Sequence, residues 1–293
     1  MGPHVAPDAA IGKPVPDSLL RHLRACRNAA LPGTRVPFRI GVATVGWLTA
    51  DVADRLRGFA AIAAAPDGLC LVAPERLEAI ARALAEAGCL RWRNEAFDVR
   101  ADPDGPVLAR IDRGALPVFG IGAVGVHVNG LVAGRDGPLL WVARRAASKS
   151  LDPGKLDHIV AGGVPAGLGP AQTLVKEAAE EAAIPPALAR LARPVARIAY
   201  AMERPEGLRR DTVLAYDLDL PGDFVPRAAD GEVESFELWP LALVLATVRA
   251  GEAFKFNVAL VLIDLFLRRG MIAEPEAGVL RRALDAHLAG GAG

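Results

Sequence analysis

The chain has 293 residues, enough for one large domain or two smaller ones with real cores. Apolar residues make up 52% and charged residues 23%, and 34 basic side chains balance 34 acidic ones, so the composition is that of an ordinary globular protein without net charge. That balance excludes a global basic field for holding nucleic acid or an anionic membrane surface.

Residues 1–17 are rich in Pro, Gly and Ala without periodicity and read as a loose tail. They carry no basic-then-apolar signal, and Ala6 breaks the myristoylation pattern. Ser18 precedes a helical pattern in which Leu19, Leu20, Leu23 and Cys26 share a face, ended by Pro32-Gly33. Residues 38–48 (FRIGVATVGWL) read as a strand, and 49–59 as a helix capped by Thr49. A short strand is expected at 68–73. A helix follows, with Pro74 at its start, Leu77, Ile80, Ala81 and Leu84 on one face, and Gly88 at its end. These elements outline a small α+β domain over 18–114.

A second domain is expected over 115–275. VFGIGAVGVHVNGLVAG and LLWVARRA read as strands around the Arg135-Asp136-Gly137 turn, and LDHIVAGG as a third. Residues 195–203 and 211–220 form a hairpin pattern with a turn near Glu206-Gly207, and 231–241 a further strand. Residues 254–270 are apolar nearly all round and read as a buried helix ended by Gly270. A C-terminal helix and tail close the chain over 276–293. Mixed strands interleaved with helices predict an α/β sandwich with a mixed sheet. Cys26, Cys70 and Cys89 have neither zinc nor redox spacing and fit a reducing compartment. No apolar run reaches the length of a membrane span, and the richest candidate, VALVLIDLFL, carries Asp264 in its middle. The expected home is the cytoplasm, with no nucleic-acid or membrane partner.

The stretch GGVPAGLGPAQTLVKEAAEEAAIP (162–185) carries the chemistry. Pro170 opens a helix and Ile184-Pro185 turns the chain away from it. Within it, Glu177, Glu180 and Glu181 stand at i, i+3 and i+4 on one face, with Leu174, Ala178 and Ala182 on another. On an exposed helix such repulsion costs only about 0.2–0.5 kcal/mol per pair, so a solvated acidic face explains the glutamates alone. The preceding glycines add a second reading. Gly162, Gly163 and Gly167 let backbone approach a ligand, their carbonyls can join a coordination sphere, and three carboxylates suit Mg²⁺ or Mn²⁺. Glu232 or Glu234 can add a carboxylate or serve as a polar strand face. Arg144, Arg145 and Lys155 are candidates for phosphate contact. His127, His158 and Trp239 read as core residues. Glu203 and Asp211 flank the hairpin turn, within reach of a ligand. Lys255 and Asn257 interrupt an apolar helix, which marks them out.

Here the chain resembles the Nudix hydrolases, whose box is G-x5-E-x7-R-E-U-x-E-E-x-G-U with U a bulky aliphatic. Aligned on Glu177, Gly162 takes the first glycine, Glu180 and Glu181 the E-E pair, and Ile184 the last aliphatic. Leu168, Lys176 and Ala183 replace the first glutamate, the arginine and the last glycine, and Ala178 is a small version of the first aliphatic. GVHVNG (125–130), GKLDHIVAGG (154–163), DGEVESFELW (230–239), FKFN (254–257) and RVPFRIG…VGW (35–47) resemble one branch in particular. That branch has an N-terminal domain of unassigned function, is fused in fungi to thiamine pyrophosphokinase, and in plants acts on damaged thiamine diphosphate. Its members are expected to carry Glu where Gln172 stands. The resemblance implies an α/β/α sandwich and metal-dependent hydrolysis of a small-molecule diphosphate. Gly162, Glu177, Glu180 and Glu181 would hold the metal. Glu177, Glu180, Glu181 and Glu232 would be catalytic. Arg144, Arg145, Lys155, Asp157, Glu203, Lys255 and Asn257 would bind substrate. Two alternatives stay open: a hydrolase of nucleotide-linked diphosphates, and a module that binds a diphosphate without cleaving it. Retention of all three glutamates argues against the module.

Overall fold

A computed structural model describes residues 18–229 and 231–286. The tail expected over 1–17 and the last residues of the C-terminal segment lie outside the described residues.

Helix α1 (Leu20–Cys26) is followed by β1 (Val36–Ile40), β2 (Ala43–Leu48), α2 (Ala50–Leu56), β3 (Ile62–Ala65) and β4 (Gly68–Leu71). After a 3-10 turn come α3 (Leu77–Glu86), β5 (Ala96–Val99), β6 (Ala109–Asp112) and the short α4 (Leu116–Phe119). Strands β2-β1-β4-β3 form one sheet, and β5-β6 form a separate ribbon. Thr49 caps α2 by accepting the Val52 N–H at 3.4 Å. Leu77, Ile80, Ala81 and Leu84 pack from α3 into a core with Phe38, Leu48, Leu56 and Phe119. The stretch expected as one strand over 38–48 is part of a hairpin, because Gly41 takes a left-handed φ of 58° and turns the chain.

The second unit comprises β7 (Gly122–Val132), β8 (Leu139–Arg145), β9 (Leu156–His158), β10 (Val160–Gly163), α5 (Pro170–Ala182), α6 (Pro186–Ala189), β11 (Arg193–Arg204), β12 (Gly207–Asp219), β13 (Val233–Pro240), α7 (Leu241–Ala250), α8 (Val258–Arg268) and α9 (Glu276–Asp285). The sheet runs β11-β12-β7-β8-β13; β12 and β7 are parallel and the other pairs antiparallel, so it is mixed. Strands β7 and β8 pair only through Leu131–Leu140 and Val132–Leu139, then diverge. Beyond that point β10 pairs with β7 and β9 with β8, so the sheet forks and Ile159 crosses the gap. LDHIVAGG is thus two strands with a corner.

One face of the sheet is covered by α5 and α6, whose Leu174, Ala178 and Ala182 meet Val126 and Val128. The other is covered by α7, α8, α9 and α1. The result is the expected α/β/α sandwich with a smaller N-terminal α+β domain. Val258 to Phe266 of α8 are all buried. Burying one such Val, Leu, Ile or Phe contributes about 1.5–3 kcal/mol, so α8 anchors this layer. Asp264 inside it is matched by Arg268 at 2.7 Å and Arg281 at 2.9 Å. Two expectations need correction. The buried helix begins at Val258, not Phe254, because Lys255 N–H is drawn into a bond with Leu156 O of β9. Helix α1, expected with the 18–114 domain, packs Leu19, Leu23 and Cys26 into the α8–α9 layer instead.

Candidate functional site

The fork in the sheet places the signature stretch. Strand β10 ends in Gly162 and Gly163, the loop 164–169 crosses over, and α5 returns alongside β10. Glu177 lies directly against Gly162: a Cβ there would sit 2.5 Å from Glu177 Cγ and 2.7 Å from its Oε2. Only glycine fits beneath this carboxylate. One turn on, the buried Glu181 accepts the Ala161 N–H at 2.8 Å through Oε2. Glu180 points outward, and Lys176 bridges it at 2.5 Å and Glu177 at 3.3 Å. The position that carries arginine in the box therefore still supplies a cation against the glutamates. Glu232 stands just before β13 and pairs with Lys149.

Burial pushes the Glu181 carboxyl well above its ordinary range; the Ala161 N–H opposes this, while Asp157, Glu177 and Glu232 add to it. Burial also raises Glu177; Lys176 opposes it, and Glu180 and Glu232 reinforce it. Burial is thus the leading cause at both carboxyls, and the neighbouring acids add to it. Oxygen donors only, one of them buried and one seated on a glycine, form a donor set for a hard divalent cation. The residues present fit such an ion.

Behind the glutamates lies a buried polar cluster. Asp157 is paired with Arg145 at 2.7 Å and Lys255 at 3.6 Å. Burial alone would raise Asp157; the cationic neighbours, Lys255 foremost, hold it well below the usual carboxylate range. His127 and His158 share a hydrogen bond between their Nδ1 atoms at 3.0 Å. Burial pushes the His158 ring down to about 4 and that of His127 well below its ordinary value. His127, His158 and Asp157 offer ligand atoms within 4.8 Å of one another. Asp157 is already neutralised by two cations and the Nδ1 atoms are spent on each other, so this group is a core network rather than a second metal centre.

A cleft of about 100 Å³ runs along Ala161, Gly162 and Gly163. Lys255, Phe256 and Asn257 line it together with Phe97, Arg113, Leu116 and Pro117 of the N-terminal domain. It shares Phe97, Tyr200 and Asp211 with a neighbouring cavity of about 600 Å³ that also meets Leu168 and Arg210. The loop itself is stitched to the N-terminal domain: Ala166 N–H donates to Ala96 O at 2.8 Å, and Gly163 lies under the Phe97 ring.

Family models match a domain of unknown function (DUF4743) over residues 18–123 and a NUDIX domain over residues 124–257. The Arabidopsis thaliana protein "Nudix hydrolase 20, chloroplastic" is 39% identical over 88% of this chain and 74% of its own length. This chain belongs to the Nudix hydrolase family. A second Arabidopsis relative, "Nudix hydrolase 24, chloroplastic", is likewise 39% identical over 88% of this chain and 74% of its own length. Among solved structures, a Deinococcus radiodurans protein aligns at 23% identity and TM-score 0.44, covering 57% of this chain and 97% of that one. Nudix hydrolases act on phosphorus-containing anhydrides with divalent metals, and this chain is such an enzyme by family.

Several expected Nudix site residues lie elsewhere. Arg145 and Asp157 are committed to each other, and Arg145 also to the Leu151 and Asp152 carbonyls. Arg144 donates to Gly154 O at 3.1 Å. Lys155 sits on the α1 side, where its charge acts on His22. Glu203 is bound by Arg35 at 2.6 Å and ties the two domains together. None of these lines the cleft among the described residues, and neither do Glu177, Glu180, Glu181 and Glu232, which meet it through Gly162 and Ala161 or stand apart from it. Lys255 and Asn257 do line it, from the segment before α8. Phe97 and Arg113 were missed, since nothing in their local sequence points to a site in another domain. No helix among the described residues is long and apolar enough to cross a membrane, while the two plant relatives are named chloroplastic, so the cytoplasmic expectation stays open.

Proposed function

We propose that this Nudix hydrolase cleaves the diphosphate of a damaged thiamine diphosphate derivative, with Mg²⁺ or Mn²⁺, giving the monophosphate and inorganic phosphate. The observation that carries the hydrolase chemistry is the seating of Glu177 on Gly162 beside the buried Glu181. The substrate rests on the resemblance to the thiamine-linked branch alone; the 39% identity to two plant Nudix hydrolases supports the hydrolase class.

Glu177, Glu180 and Glu181, with Glu232 and the Gly162 carbonyl nearby, would hold the metal. A divalent ion held there would supply positive charge to offset the negative charge that develops as the anhydride bond breaks. The protein groups do the rest. Ala161 N–H fixes Oε2 of Glu181 and so holds the carboxylate against β10. Gly162 lets Glu177 lie flat against β10. One of the metal-holding carboxylates would also take the proton of the attacking water. Water attacks phosphorus in line, the bridging P–O bond breaks, and its electron pair stays with the leaving phosphate. Lys255 faces the cleft, where a diphosphate oxygen would meet it.

The test is phosphate release from a panel of intact and oxidised thiamine diphosphates and nucleoside diphosphate derivatives, with Mg²⁺. Release is expected, fastest from an oxidised thiamine compound, and Glu181→Gln and Glu180→Gln should each remove most of it. Faster cleavage of a nucleotide-linked diphosphate would replace the substrate assignment. Full activity in both variants would refute the metal-site assignment.

A further inference from the structure

The N-terminal domain forms a wall of the cleft, and its architecture there is specific. Strand β5 runs beside the signature loop: Ala96 O accepts the Ala166 N–H, and Asp98 Oδ2 accepts the Gly167 N–H at 3.4 Å. Between these bonds Phe97 lies on Gly163, where a Cβ would come within 2.7 Å of its ring. The paired strand β6 ends at Asp112, which is buried and accepts three backbone N–H groups, from Arg93 at 2.9 Å, Glu95 at 3.1 Å and Gly114 at 2.8 Å. A carboxylate so bonded makes a stiff turn. The next residue, Arg113, is further fixed by its own N–H on Glu95 O at 2.7 Å.

Arg113 lines the cleft together with Lys255, Gly162 and Gly163. Its Nη1 donates to Glu95 at 2.8 Å, and its Nε and Nη2 donate to no partner among the described residues. Its guanidinium stands over the Phe97 ring at 5.8 Å from the centroid, and its charge adds to the burial that lowers Lys255. The cleft thus carries two cations from different domains beside Gly162, the glycine on which Glu177 is seated. A guanidinium with free donors matches phosphoryl oxygens as a fork, which an ammonium does not.

We propose that the N-terminal domain completes the active site, and that Arg113 binds an oxygen of the substrate's diphosphate together with Lys255. The domain of unassigned function then has two roles: β5 sets the signature loop, and the Asp112 turn presents an arginine to the anhydride. This rests on the diphosphate reading above.

The experiment compares wild type with Arg113→Ala, Arg113→Lys and Glu95→Gln, using the full chain. Binding of inorganic pyrophosphate with Mg²⁺ is read by calorimetry, and KM and kcat are read on the fastest diphosphate of the panel. Arg113→Ala should weaken pyrophosphate binding and raise KM by about tenfold or more, as expected for the loss of a charged hydrogen bond. Arg113→Lys should restore part of it. Glu95→Gln breaks the ion pair but leaves the guanidinium, and should stay within about threefold of wild type. Unchanged pyrophosphate affinity in Arg113→Ala, or an equal loss in Glu95→Gln, would overturn the proposal. If no panel compound is cleaved, the substrate reading fails, while the pyrophosphate measurement still decides the role of Arg113. A melting temperature for each variant separates misfolding from lost contact, and Arg113→Lys decides if the alanine variant does not fold.

Discussion

His127 and His158 sit in the sheet as neutral rings, which links stability to pH. An unfolded histidine titrates near 6.5, while the folded His158 holds its ring at about 4 because burial disfavours the charged form. Between those values the unfolded chain binds a proton that the folded chain refuses. His158 therefore contributes its full stabilisation above pH 6.5 and loses it as the pH falls toward 4, by about 3 kcal/mol over the window. Glu181 works in the opposite sense, because its raised carboxyl favours folding when protonated. Denaturant unfolding from pH 7 to 4.5 should show wild type losing stability faster than His158→Asn; equal slopes would refute the assignment. The sequence placed both histidines in the core because their neighbours are apolar. It could not pair them, since 31 residues separate them and the fork that brings them together is tertiary. For the same reason Arg145 and Asp157 read as separate substrate contacts, when they neutralise each other.

Helix α5 was legible almost to the residue, because Pro170 and Ile184-Pro185 punctuate it and the glutamate spacing fixes its faces. One departure from the branch's expected pattern, Gln172, and one from the family box, Ala183, acquire physical meaning at its ends. At the start, Gln172 accepts the Gly169 N–H at 2.9 Å, a capping role open to Gln and Glu alike, so its missing charge removes nothing from the metal site. At the finish, Ala183 takes φ 52° in the left-handed region, with Ile184 N–H closing onto Ala178 O. A Cβ there costs about 1–2 kcal/mol, which a glycine avoids. Ala183→Gly should raise unfolding free energy by about 1 kcal/mol, read as a higher denaturant midpoint with unchanged slope; a fall would refute the strain. Strands β5 and β6 escaped notice because they are four residues each and lack strong alternation. The start of α8 was misplaced because Phe254 and Lys255 form strand-like bonds to β9 that no local pattern encodes.

At the scale of the whole molecule, the two units do not divide where the composition changes. Helix α1 precedes the α+β domain in sequence yet belongs to the layer of α8 and α9. Arg21 reaches the Val248 and Arg249 carbonyls, His22 bonds to Val248 O at 2.9 Å, and Arg27 bonds to Leu284 O at 2.9 Å. A fragment of residues 115–293 would leave the seat of Leu19, Leu23 and Cys26 open to water. Each lost leucine removes roughly 1.5–3 kcal/mol of burial, comparable to a large share of a domain's net stability. Such a fragment should melt well below the full chain and bind an apolar dye. Equal melting temperatures would show that α1 is dispensable.

The place of α1 has a kinematic consequence. The α+β domain leaves the sandwich after α1 and re-enters it at β7, so it is rooted at both ends in one body, and Arg35–Glu203 adds a third tie. A body with two roots can turn only about the line that joins them, where a body on one linker turns freely. Any opening of the cleft by this domain would have to strain the Arg35–Glu203 pair as well.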